Sequence, residues 1–92
     1  MKKLQTLIDK CVGSVTVCIN DHKDCYQTVD EYFNSTQNSQ EELEDINTDI
    51  YEKMKEQDTI INIHFYPTSP VGYYSVYHYD LEYALDLALE TF

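Results

Sequence analysis

Two alternating apolar runs, Thr59 to Tyr66 and Tyr73 to Tyr79, flank the hexapeptide Pro67-Thr68-Ser69-Pro70-Val71-Gly72, and no other feature constrains the fold as tightly. Two prolines and a glycine within six residues interrupt helix and strand alike and suit a hairpin loop wider than the two-residue type. With Tyr66 opposite Tyr73, the residues Ile61, Ile63, Phe65, Tyr74 and Val76 share one face as a core surface. The other face then carries Asn62, His64, Tyr66, Tyr73, Ser75, Tyr77 and Tyr79. A slip of one residue would exchange the two faces.

The remaining segments supply elements to pack against this hairpin. Leu4, Leu7, Ile8 and Cys11 recur at helical spacing, so residues 2–12 read as a short amphipathic helix ended by Gly13. Ser14 to Ile19 alternates, with Val15, Val17 and Ile19 on one side and Ser14, Thr16 and Cys18 on the other, which predicts a half-buried strand. Residues 20–24 form a polar loop. Thr28 followed three positions later by Glu31 has the form of a capping box and predicts a helix over 28–35 burying Val29, Tyr32 and Phe33. A second box, Ser39 with Glu42, opens a longer helix to about residue 57, with Leu43, Ile46, Ile50 and Met54 as its apolar stripe. Asp80 caps a last helix over 81–91, whose Leu81, Ala84, Leu85, Ala88 and Phe92 face one way while Tyr83 and Leu87 fall on the far side. The expected order is α-β-α-α-β-β-α. It implies one α+β domain over 1–92, a small three-stranded, mainly antiparallel sheet with about four helices.

Charge narrows the function. Seventeen acidic side chains face six lysines and no arginine, and the formal net charge is −11. Nucleic acid and anionic lipid would both be repelled, since binding either depends on Lys and Arg. A basic protein surface, by contrast, would be attracted and its encounter accelerated. No apolar run approaches the roughly 18 residues of a membrane span, and Asp9 and Lys10 interrupt any signal-peptide core. The expected location is therefore the cytoplasm.

Catalytic and metal chemistry find little support. Cys11, Cys18 and Cys25 are odd in number, seven apart and without a Cys-x-x-Cys pair, which suits buried thiols rather than a disulfide framework or a zinc site. Cys18 or Cys25 with His22 is the only local nucleophile–base pairing, and nothing around these residues resembles a known nucleophile turn. His64 and His78 fall on opposite faces of the hairpin. Gly13 and Gly72 are the only glycines, so no phosphate loop is present. Neither catalysis, a metal nor a cofactor is expected.

Nine tyrosines are too many for one small core, and five of them lie between positions 66 and 79. Tyrosine combines large contact area with few rotatable bonds and is enriched at interfaces. Acidic residues that steer, with aromatic residues that anchor, are what an inhibitor of a basic enzyme needs. The candidate partner-binding residues are Asp21, Asp24, Glu41, Asp45, Asp49 and Glu52 for steering, with Tyr66, Tyr73 and Tyr77 as anchors. A nucleic-acid mimic of the phage type, blocking a restriction or CRISPR effector, would spread its charge more evenly. Here it concentrates in 41–56. A third possibility is an accessory subunit that dimerises through the tyrosine-rich face or a sheet edge, so a monomer or weak homodimer is expected.

The segment Phe65-Tyr66-Pro67-Thr68-Ser69-Pro70-Val71-Gly72-Tyr73-Tyr74, continuing through Tyr77-His78-Tyr79-Asp80-Leu81, resembles small immunity proteins of bacterial toxin systems, including those of contact-dependent growth inhibition. The resemblance covers about a quarter of the chain. It implies tight one-to-one binding that occludes the active site or substrate groove of a toxin, a nuclease in the leading reading. It assigns no residue roles.

Overall fold

The computed structural model describes residues 2–21, 28–39, 42, 45, 48–50, 52, 59–67 and 73–92. The first helix, Lys2–Lys10, buries Leu4 and Leu7 and packs beside the last helix, Leu81–Leu89. Lys3 lies across that junction, its Nζ 3.0 Å from Glu82 and 2.9 Å from Asp86. The last helix begins as expected at Asp80, whose carboxylate accepts the backbone N–H groups of Glu82 and Tyr83, and buries Leu81, Ala84, Leu85 and Ala88. Tyr83 and Leu87 point away from the core and are exposed. Between these helices, residues 42, 45, 48–50 and 52 are helical, and Ser39 Oγ accepts the N–H of Glu42 as an N-cap should.

The sheet has four antiparallel strands, not three: β1 (Thr16–Asp21), β2 (Thr28–Asn34), β3 (Thr59–Phe65) and β4 (Tyr74–His78), in the order β2-β1-β3-β4. With three helices among the described residues rather than about four, this corrects the expected fold. The error lies at 28–35, read as a helix and found as β2. Its Thr-x-x-Glu box is a local signal, and a helix of two turns has little stability of its own. Pairing with the free edge of β1 satisfies a whole row of backbone groups, and Thr, Val, Tyr and Phe suit a pleated surface. The helical spacing was also mimicked by a bulge. Val17 pairs with Phe33 and Cys18 with Glu31, so Tyr32 is the extra residue, and both Tyr32 and Phe33 reach the core.

The hairpin register is as expected. Phe65 pairs with Tyr74, Ile63 with Val76 and Ile61 with His78. On β1, Val17 pairs with Ile63 and Ile19 with Ile61, so one face of the sheet is a continuous aliphatic surface covered by the helices. β1 starts two residues later than expected and takes up Asn20 and Asp21, which had been assigned to a loop, although Val15 ahead of it is still buried. Asn34–Ser39 is a hydrogen-bonded turn. Asn34 Oδ1 accepts Thr36 N–H at 3.0 Å, its carbonyl accepts Gln37 and Asn38 N–H, and Ser35 N–H donates to Val15 O.

Candidate functional site

The face of the sheet turned away from the helices is polar and aromatic. Thr16, His64 and Ser75 form one cross-strand row and Cys18, Asn62 and Tyr77 the next, with Glu31 beside Cys18 on β2. Beyond the strand ends, Tyr66 and Tyr73 extend the face. Tyr66, Tyr73 and Tyr77 are 40%, 52% and 38% exposed, so the three predicted anchors are surface residues.

These rings are organised. The His64 imidazole and the Tyr73 ring stack with centroids 5.3 Å apart and planes within 9°, and Tyr66 leans on Tyr73 at 5.7 Å. The Tyr73 hydroxyl and Ser75 Oγ, the latter at 2.9 Å, both converge on His64 Nδ1. Burial pushes the imidazole below its ordinary pKa, opposed in part by the nearby charge of Glu31. Burial thus disfavours the charged ring, and in the neutral tautomer protonated at Nε2 both hydroxyls can donate to Nδ1. In the next row, burial and then the Glu31 charge push the Cys18 thiol up to about 11, far from a thiolate at neutral pH. Asn62 is buried, and its Oδ1 has no hydrogen-bond partner.

Tyr66 is fixed from behind. Its carbonyl accepts the N–H of Val12 at 3.0 Å. Its ring lies so close to Gly13 that a β-carbon there would stand 2.8 Å from Tyr66 Cδ2 and 3.1 Å from Cγ. The glycine expected only to end the first helix also makes room for an aromatic side chain.

The predicted steering residues are placed less coherently. Asp45, Asp49 and Glu52 are exposed. Ile50 of the same helical segment is buried in the cluster that covers the helix-facing side of the sheet. The three carboxylates therefore project from the helix layer, and the tyrosines from the opposite face. Among the described residues, nothing joins the two sets. Asp21 ends β1, while Asp24 and Glu41, like His22 and Cys25, lie outside the described residues. His64, Ser75 and Gly13, which hold the tyrosine rings, were not among the predicted partner-binding residues. The alternation of the hairpin had placed His64 and Ser75 on this face, but nothing local in the sequence marked Gly13.

Among the described residues, no group of three or more His, Cys, Asp or Glu could hold a metal ion. No helix among them is long and apolar enough to cross a membrane. Comparison of the chain with protein-family models, with curated proteins and with solved structures gives no match.

Proposed function

We propose that this chain is a cytoplasmic immunity or inhibitor protein that binds a basic toxin domain, of nuclease type, and neutralises it by covering its active site or substrate groove. One observation carries the reading: Tyr66, Tyr73 and Tyr77 are exposed together on a single sheet face of a chain with net charge −11. Rigid aromatic side chains on a strand surface give contact area at little entropic cost, and an acidic excess speeds encounter with a cationic partner. Function in this reading is stoichiometric binding without turnover. The test is capture of the tagged protein's partner from its source, followed by a nuclease assay of the purified partner. Full inhibition at one equivalent is expected. A partner whose activity persists at tenfold excess, or which is itself acidic, refutes the proposal.

A second reading, a dimerising accessory subunit, is favoured by β4. It pairs with β3 on one side and, among the described residues, ends the sheet, and Tyr74-Ser75-Val76-Tyr77-His78 contains neither proline nor an acidic or lysine residue to discourage edge pairing. Sedimentation velocity at micromolar concentration separates the two readings. A defined dimer supports the second, and a monomer rules it out.

A further inference from the structure

Taking the inhibitor reading as given for the identity of the partner, we infer that the Tyr66–Tyr73–His64 ring stack is a preorganised receptor for the guanidinium groups of an arginine-bearing segment of that partner, with Gly13 as its positioning residue.

A cation is attracted to the face of an aromatic ring when it lies within about 6 Å of the centroid. This chain already shows such a contact, with Lys10 Nζ 5.6 Å above the Phe92 ring. Tyr66 and Tyr73 are exposed, unlike the core aromatic Phe65, and their mutual tilt of 52° presents two ring surfaces at an angle. The stack is built rather than incidental. Tyr73 is stacked on His64 and bonded to its Nδ1 through the hydroxyl, and Tyr66 is held by the Val12 N–H and pressed against the bare Cα of Gly13. Rings fixed before binding lose little side-chain freedom when a ligand arrives.

Charge selects the occupant. A stacking platform also suits a nucleobase, but a polyanion would approach a molecule of net charge −11. A second copy of the chain meets the same repulsion. A cationic side chain meets attraction from the whole molecule and, locally, from Glu31, whose charge already acts on His64. Guanidinium is favoured over ammonium because its plane can stack on a phenol ring.

The test uses the full chain with isotope-labelled tyrosine and histidine, titrated with a tetra-arginine peptide and with its neutral citrulline counterpart. Saturable shifts at the rings of Tyr66, Tyr73 and His64 are expected with arginine and not with citrulline. Tyr66→Ala and Tyr73→Ala should each weaken binding about two- to fivefold, and Tyr66→Phe should retain it. Gly13→Ala should weaken binding in the parent and have no further effect in a Tyr66→Ala background, because the added methyl acts by displacing that ring. That background relieves the clash, so the comparison holds even if Gly13→Ala alone folds poorly. Equal binding of the citrulline peptide, or unaltered affinity in both alanine variants, overturns the assignment. Shifts confined to the Tyr51 ring, the one labelled residue within 45–52, would do the same while leaving the inhibitor reading intact. An arginine-specific platform in a protein that captures no basic partner would be the converse.

Discussion

The imidazole of His64 and the phenol ring of Tyr73 lie parallel on the open face of the sheet, and the Tyr73 hydroxyl meets His64 Nδ1. Burial, the larger influence, lowers the imidazole pKa below the ordinary 6.5. The unfolded chain therefore takes up the proton first as pH falls. The contribution of this histidine is fully present above pH 6.5 and is lost as pH drops through the lower folded-state value. Urea unfolding of the parent and of His64→Gln between pH 7.5 and 5.5 should show the stability difference shrinking or reversing toward the acid end. A difference that stays constant across that range contradicts the assignment.

Phe33 anchors β2 to the core opposite Val17. Phe33→Ala should cost about 3–5 kcal/mol, a large share of the roughly 5–15 kcal/mol typical of a small domain. Chemical shifts of residues 28–34 in the parent should be those of a strand. Helical shifts there would restore the three-stranded alternative.

Asp80 caps the last helix through two backbone N–H groups, at 2.8 Å from Glu82 and 3.4 Å from Tyr83. Asp80→Ala should destabilise the protein by about 1 kcal/mol, and Asp80→Asn should recover most of the loss. Thermal unfolding of the three proteins decides this. Equal midpoints for Ala and Asn would show that the cap contributes nothing.

Asp45, Asp49 and Glu52 project from the helix layer, away from the tyrosines. If they steer at long range without touching the partner, changing all three to lysine should slow association by about tenfold or more at low salt and leave the dissociation rate nearly unchanged. The effect should fade at 0.5 M NaCl, where the screening length is only a few ångströms. A change carried by the dissociation rate would instead place this surface inside the interface.

The hairpin was legible because Ile61, Ile63 and Phe65 alternate with polar residues beside a loop rich in proline and glycine, and a two-residue period has one consistent register. β2 was not legible for a related reason. The bulge at Tyr32 brings two neighbouring aromatic residues to the core, which breaks the alternation and imitates a helical face. For the site, the abundance of tyrosine pointed to the open face of the sheet, where Tyr66, Tyr73 and Tyr77 are exposed. The acidic residues pointed to a different one, because charge counts carry no information about which layer a helix joins. The contact between Gly13 and Tyr66 joins segments more than fifty positions apart and could be seen only after folding.

The central claim is that the open tyrosine face binds a basic protein, and calorimetric titration of the captured partner into the Tyr73→Ala/Tyr77→Ala variant tests it most directly. With the variant's fold confirmed by its amide spectrum, the account predicts affinity at least tenfold weaker than that of the parent, as expected for loss of two exposed aromatic anchors. Binding as tight as the parent's, in a variant that folds normally, would contradict it.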